Sequence, residues 1–338
     1  MICKFAINGF GRIGRTVFRR FVEQGSLSSI VAINDLASPD SLAYLLKYDS
    51  THGVLPCSVS NERDSLIVDG HRVLIFSESD PSKIGWGQCG VDVVIESTGR
   101  FCSKEGASLH LKGGARFVLV SAPAKGVDSL VWGTNHVKAI SSCDKVFSAA
   151  SCTTNCAVPL LDVLDRAFGI ETCSLSTIHA TTSSQTILDA PSSKKMRLCR
   201  SSLQNIIPTS TGASNAVEEV LPQLKGRLVG TSYRVPLPDV SLLDLVLTFR
   251  SSVTLSEVIQ TLKAAASGDY KGIISVTDEH LVSKDLQGDS HSSIVDSKAS
   301  AGIEGRLIKL VAWYDNESGY SARVVDLVHF ICDQCLGC

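Results

Sequence analysis

Charge of one sign is what this 338-residue sequence has least of: 32 lysines and arginines face 34 aspartates and glutamates, a formal net charge of −2. That balance excludes a strong electrostatic footprint for nucleic acid or for an anionic membrane surface. No run approaches the roughly 20 apolar residues that a bilayer-spanning helix needs, although 44% of the chain is hydrophobic and the mean hydropathy is +0.17. Internal repeats and low-complexity segments are absent. The opening Met1-Ile2-Cys3-Lys4-Phe5-Ala6-Ile7 is already strand-like and leaves no room for a signal or transit segment, so a cytoplasmic location is expected. Twelve cysteines run against this plainness. In a chain this long with no export signal they point to a reducing compartment, with most thiols serving as small buried hydrophobes. Cys332, Cys335 and Cys338 have metal-like spacing, but no second Cys/His pair sits near them to complete four ligands, and no metal is expected.

The length suggests two domains. Up to about Ser151, strand-like and helix-like segments alternate: Cys3–Asn8, Arg12–Val22, Ile30–Asn34, Arg72–Phe76, Val91–Glu96, a helix around Ser103–Lys112, Arg116–Ser121 and Lys145–Phe147. Near-continuous apolar strands in that order indicate an α/β, Rossmann-type, doubly wound parallel sheet. The rhythm then changes. A helix over Thr153–Phe168 is followed mostly by strands: Cys173–His179, Leu228–Val235, Val240–Arg250, Ile273–Thr277, Ser292–Val295 and Leu307–Tyr314. Thr254-Leu-Ser-Glu257 has the spacing of a capping box. This predicts an α+β domain on a mixed or antiparallel sheet. The chain finishes on an amphipathic helix with a stripe of Tyr320, Val324, Leu327, Val328 and Ile331. Ser183–Ser202 is polar and aperiodic and reads as a long loop, a length usually kept for function.

Two motifs carry chemistry. Gly9-Phe10-Gly11-Arg12-Ile13-Gly14 follows a strand and opens a helix, the context that makes G-x-G-x-x-G a dinucleotide site. Gly9 permits the turn, Gly11 lets the backbone approach a pyrophosphate, and Gly14 allows close helix–strand packing. The helix start adds free N–H groups for the phosphates. Asp35, ending the second strand, suits ribose hydroxyls and repels a 2′-phosphate, which favours NAD over NADP. The second motif, Ser151-Cys152-Thr153-Thr154-Asn155-Cys156, places a thiol at a helix start, where dipole and N–H groups favour the thiolate. Cys156, one turn on, reads as structural. Of eight histidines, His179 is the best placed base, ending a strand before the long loop. On these grounds alone a structural histidine remains an open alternative.

Together these segments resemble the glyceraldehyde-3-phosphate dehydrogenase family. The matches run in family order through Asn8–Arg15, Lys47–Gly53, Glu96–Gly99, Ser151–Cys156, Thr177–Ala180, Gln204–Pro208, Ser210–Gly212, Arg234–Pro236 and Trp313–Glu317, over essentially the whole chain. The resemblance implies an NAD-dependent phosphorylating dehydrogenase acting on glyceraldehyde 3-phosphate and inorganic phosphate. In it Cys152 is the nucleophile and His179 the base. Thr182 and Arg234 match positions that hold the substrate phosphate, and Ser151, Thr153, Thr211 and Gly212 those that receive the attacking phosphate. Gly9, Gly11, Arg12, Ile13, Gly14, Asp35, Ser121 and Asn316 fall on the cofactor side, Asn316 at the nicotinamide carboxamide. The resemblance also implies a homotetramer. It implies an NAD-binding domain of 1–151 completed by a final helix over 318–338, with 152–317 catalytic. Ala149, Ser318 and the composition of the 183–203 loop depart from the family pattern without removing a catalytic group. Erythrose-4-phosphate dehydrogenase, an NADP-preferring photosynthetic form and a non-catalytic protein on the same scaffold are the rival readings. The intact Ser210-Thr211-Gly212, Asp35 with Pro191, and the Cys152/His179 pair respectively weigh against them.

Overall fold

A computed structural model describes residues 3–137, 144–191 and 196–336. Cys338 and residues 192–195 of the loop lie outside that set. The chain divides into two compact units, 1–151 with 321–338, and 152–320.

The first unit is built on an eight-stranded sheet. Its order is Val146–Ser148, Phe117–Val120, Val93–Glu96, Phe5–Asn8, Ile30–Asn34, His71–Phe76, Ser65–Val68, Val59–Glu62. The first six are parallel and the last two antiparallel. Phe5–Asn8, Ile30–Asn34 and Val93–Glu96 are buried almost throughout, as strands covered on both faces must be. Phe5–Asn8 pairs with Ile30–Asn34 on one side and Val93–Glu96 on the other, so the chain reverses its direction of winding at the first strand. Ligands bind at the carboxyl ends of strands at such a switch point, and the glycine loop leaves from there. Below the loop a buried network supports the strand ends. One carboxylate oxygen of Glu96 takes the Thr98 backbone N–H and hydroxyl, and the other takes the Asn8 amide and His110 Nε2. Trp86 Nε1 donates to His110 Nδ1 at 3.0 Å, which leaves the ring proton on Nε2.

The second unit carries a seven-stranded mixed sheet. Its order is Ile207–Thr209, Leu228–Arg234, Ile170–His179, Ser241–Phe249, Leu307–Tyr314, Ser293–Ile303, Ile274–Thr277. Leu243, Leu245 and Leu247 alternate inward and are fully buried, the period-2 signature of a strand with one face on a core. Thr254 and Glu257 form the expected reciprocal cap on Leu255–Ser267. Two sequence expectations need correction. The helix read over Ser103–Lys112 is two short helices, Lys104–Ala107 and Leu109–Lys112, because the Ser108 hydroxyl turns back to the Lys104 carbonyl. The cysteines are not all unpaired: Cys3 and Cys332 form a disulfide with Cα atoms 6.3 Å apart. A separation of 329 residues hides such a pair from any spacing argument. It also withdraws Cys332 from the metal-like run.

Candidate active site

In the first unit the glycine loop is set by close approach. Gly9 has φ +89°, and a Cβ there would lie 2.7 Å from the Thr98 nitrogen. A Cβ on Gly14 would lie 2.2 Å from the Gly9 carbonyl oxygen, so helix and loop touch only because that position has no side chain. A Cβ on Gly11 would meet nothing within 4 Å. That open space faces the start of the Arg12–Glu23 helix, whose first N–H groups suit phosphate oxygens. Ile13 lies in that first turn. Asp35 braces the loop, accepting from the Phe10 N–H at 2.7 Å and from the Ala37 N–H at 3.0 Å. A cavity of about 270 Å³ runs past Gly9, Gly11, Asp35 and Thr98. Its chemistry fits a dinucleotide: N–H donors for phosphates beside an acidic acceptor for ribose. Arg12 is turned to Asp49, and that carboxylate, which burial raises, is held down to about 2 by the His52 and Thr51 N–H groups and by Arg12 itself. Ser121 bonds the Glu96 carbonyl through its hydroxyl at 3.1 Å.

In the second unit Cys152 is the first residue of the Cys152–Phe168 helix. Two residues earlier Ala150 sits at φ +55°, a strained conformation of the kind that collects at reactive sites. Cys152 Sγ lies 3.4 Å from Nε2 of His179, which closes the Ile170–His179 strand. The parallel register sets His179 opposite Arg234, whose guanidinium reaches His179 Nδ1 and, at 3.1 Å, the Ala180 carbonyl. Thr153 Oγ1 is 3.0 Å from the Tyr314 hydroxyl. Thr182 Oγ1 is 3.0 Å from the Ser184 hydroxyl. Thr211 Oγ1 accepts from the Ala213 N–H at 3.1 Å, and Gly212 caps the Ala213–Val220 helix. Asn316 Oδ1 accepts from the Ser241 hydroxyl at 2.7 Å, and Ser241 accepts in turn from the Ala180 N–H. The Asn316 amide is thereby oriented with its NH₂ left as the donor.

Comparison with known proteins gives the chain its place. A model of the glyceraldehyde 3-phosphate dehydrogenase NAD binding domain matches residues 3–104, and a model of the C-terminal domain of the same enzyme matches 151–316. Glyceraldehyde-3-phosphate dehydrogenase of Geobacillus stearothermophilus is 48% identical over 332 residues, 98% of each chain. The cytosolic enzyme of Chlamydomonas reinhardtii is 47% identical over 325 residues, 96% of this chain and 95% of its own. The chain belongs to the glyceraldehyde-3-phosphate dehydrogenase family. It is an NAD-dependent oxidoreductase.

Two residues of this family member are absent from the sequence-derived set and shape the site. Tyr314 is buried, its hydroxyl 2.8 Å from Thr177 Oγ1 as well as 3.0 Å from Thr153, so it ties the Cys152–Phe168 helix to the strand bearing His179. Ser241 anchors Asn316, and it follows Val240, whose φ of +63° is costly for a β-branched residue. Tyr314 lay inside the Trp313–Glu317 match, but nothing short of strand register reveals what it touches. Cys156 is buried, its thiol pushed up to about 12 by desolvation, the behaviour of a structural residue.

The electrostatics of this family member set a pH expectation. Burial pushes the Cys152 thiol up, and Arg234 together with Thr153 pulls the other way. The N–H groups at the helix start do favour the thiolate, and burial outweighs them. Burial first, and the Arg234 charge second, push His179 down from 6.5 to about 3. Between those values the unfolded chain binds a proton that the folded site refuses. Stability thus rises with pH through that window and is lost as pH falls from 6.5 towards 3. The expected loss attributable to His179 is of the order of a few kcal/mol. Unfolding free energies from urea denaturation, followed against pH for the parent and His179→Gln, should differ in slope by close to one proton between pH ~4 and ~5.5. Parallel curves would refute this.

Proposed function

We propose that this chain oxidises glyceraldehyde 3-phosphate to 1,3-bisphosphoglycerate, with inorganic phosphate as second substrate. The observation that carries the reading is the Cys152 sulfur 3.4 Å from His179 Nε2 at the start of a helix. Cys152 adds to the aldehyde carbon, forming a C–S bond, and the resulting alkoxide is protonated to a hemithioacetal. His179 then takes the hydroxyl proton as the carbon is oxidised to a thioester. NAD supplies the hydride acceptor. Inorganic phosphate attacks the thioester carbonyl, the C–S bond breaks, and the thiolate leaves as the acyl phosphate forms.

Arg234 and Thr182 hold the substrate phosphate in this reading, the guanidinium offering a planar fork of donors. Ser151, Thr153, Thr211 and Gly212 receive the attacking phosphate. Thr211 Oγ1 accepts from the Ala213 N–H, which leaves the hydroxyl hydrogen to donate. Asn316 holds the nicotinamide carboxamide, and Gly9, Gly11, Arg12, Ile13, Gly14, Asp35 and Ser121 serve the rest of the cofactor. Residues 1–151 with 318–338 act as the NAD-binding domain and 152–317 as the catalytic domain. A homotetramer is supported by apolar side chains left exposed on and beside the 183–203 loop: Ile187, Leu188, Met196, Leu203 and Ile206. No helix among the described residues is long and apolar enough to cross a membrane. A cytoplasmic location accords with the cytosolic naming of the Chlamydomonas relative.

NADH formation is to be followed with glyceraldehyde 3-phosphate, or with erythrose 4-phosphate, in the presence and absence of inorganic phosphate. Turnover with the triose phosphate that depends on inorganic phosphate is expected. A rate indifferent to phosphate removes the phosphorylating half of the reading, faster turnover of the tetrose phosphate moves the substrate, and silence with both sinks the enzyme.

A further inference from the structure

Glu96 ends the Val93–Glu96 strand with its side chain fully buried, and among the described residues no lysine or arginine pairs with it. A carboxylate taken out of water without a cation is costly unless its lone pairs are filled. Here they are. The Thr98 N–H, at 2.8 Å, and the Thr98 hydroxyl occupy one oxygen; His110 Nε2, at 2.9 Å, and the Asn8 amide occupy the other. Trp86 Nε1 donates to His110 Nδ1 at 3.0 Å, so the imidazole is neutral and turns its one hydrogen to the carboxylate. One negative charge therefore faces four donors.

The polarity set by that charge runs on across the neighbouring strand ends. Asn8 turns its NH₂ to Glu96, which leaves its carbonyl oxygen to accept from Asn34 Nδ2 at 2.7 Å. Asn34 Nδ2 also donates to the Glu78 carbonyl at 3.0 Å, and Asn34 Oδ1 accepts from the Glu78 N–H at 2.8 Å. Asn8, Asn34, Glu78 and Thr98 all line the cavity of about 270 Å³ beside Gly9 and Asp35, whereas Glu96 does not reach it. A buried charge thus stands one layer behind the cavity and dictates which way each amide in its floor points.

We propose that Glu96 is a positioning residue for the dinucleotide, its charge orienting Asn8, Asn34 and Thr98 for the adenosine half of NAD. This rests on the cofactor reading of the cavity. A glutamine of the same shape exposes the dependence. Its NH₂ must face either the two Thr98 donors or the donors of Asn8 and His110. If the Asn8 amide turns over to relieve this, Asn34 must turn as well, and its NH₂ then meets the Glu78 N–H. The mismatch moves along the floor and no rotation removes it. Moving the charge by one strand does remove it. When Asn8→Asp accompanies Glu96→Gln, the glutamine oxygen accepts from Thr98 and its NH₂ donates to the new carboxylate. His110 Nε2, already 3.4 Å from Asn8 Nδ2, donates there too, and Asn34 keeps its orientation.

The test is calorimetric titration of the full chain with NAD and with ADP-ribose, which lacks the nicotinamide, beside urea denaturation of each variant. Glu96→Gln is expected to weaken both ligands by the same factor, roughly tenfold or more. Asn8→Asp alone sets two carboxylates against each other and is expected to weaken them too. The double variant is expected to bind more tightly than either single one. A carboxylate that only holds the fold together would lower the urea midpoint and leave the dissociation constants of the folded protein unchanged, and that result overturns the proposal. So does a loss confined to NAD, or a double variant that binds no better than Glu96→Gln. Where the single variants fold poorly, the double variant decides: recovered folding with recovered affinity supports the proposal, and a protein that stays unfolded or does not bind overturns it. A parent protein that binds neither ligand overturns the cofactor reading as well. A parent that binds NAD, matched by a Glu96→Gln variant that binds it equally, overturns the positioning role alone.

Discussion

Replacing Cys152 with alanine is expected to lower the rate of NADH formation from glyceraldehyde 3-phosphate by on the order of 10⁴ or more while leaving the fold intact. The size follows from the role proposed for the sulfur. A covalent intermediate splits one difficult oxidation into two accessible steps, and no neighbouring group can replace the nucleophile. Cys156, one turn further along the same helix, is fully buried with its thiol pushed up to about 12, and its carbonyl is held by the Ser293 hydroxyl. The side chain lost is small and only partly buried, so circular dichroism and the urea midpoint should stay close to those of the parent. A variant retaining more than a tenth of the parent rate would refute the assignment. So would a parent protein that keeps its activity after complete alkylation of Cys152.

The second large effect belongs to the glycine loop and separates folding from binding. Gly14→Ala puts a methyl group 2.2 Å from the Gly9 carbonyl oxygen and 3.2 Å from Ile7 Cγ2. The obstacle is backbone, which no side-chain rotation relieves, so either the helix retreats from the first strand or the loop opens. We expect a loss of about 3 kcal/mol in unfolding free energy, the upper range for overpacking, together with weaker NAD binding. Gly11→Ala is the counterpart. Its Cβ meets nothing within 4 Å, so stability should move by less than about 0.5 kcal/mol. NAD affinity should nevertheless fall, because the methyl group occupies the space a pyrophosphate needs. Urea denaturation and calorimetric titration with NAD on both variants read the two effects apart. Equal stability of the two variants would contradict the close packing at Gly14.

Much of the architecture was legible because burial writes itself into apolar patterns. Ile30–Asn34 and Leu307–Tyr314 have the same bounds in the sequence pattern and in the structure, one a continuous apolar run and the other rich in β-branched and aromatic residues. The parallel sheet followed from alternation of such strands with helices. The hairpin of Val59–Glu62 and Ser65–Val68 leaves no such pattern. Its first strand, Val-Ser-Asn-Glu, is polar and never fully buried, and its two-residue turn Arg63-Asp64 lacks the asparagine or glycine that usually marks such turns. The Pro39–Lys47 helix carries only local signals in the sequence, the Ser38 cap and Pro39 at its start. At the site, local setting and family resemblance single out Cys152 and His179, which the structure sets 3.4 Å apart. The roles of Tyr314 and Ser241 escape both, since each depends on which residues strand pairing sets opposite it, and register is a property of several distant segments at once.

The bond between Cys3 and Cys332 has a topological meaning beyond any local stabilisation. It turns all but the outermost residues of the chain into a single covalent loop. A protease that nicks any one exposed segment between those two cysteines therefore releases no fragment: the pieces migrate as one molecule without reductant and separate once a thiol is added. An enzyme linked in this way can be cut once, in the exposed loop after His179 for instance, and still keep both ends of its nucleotide-binding unit joined.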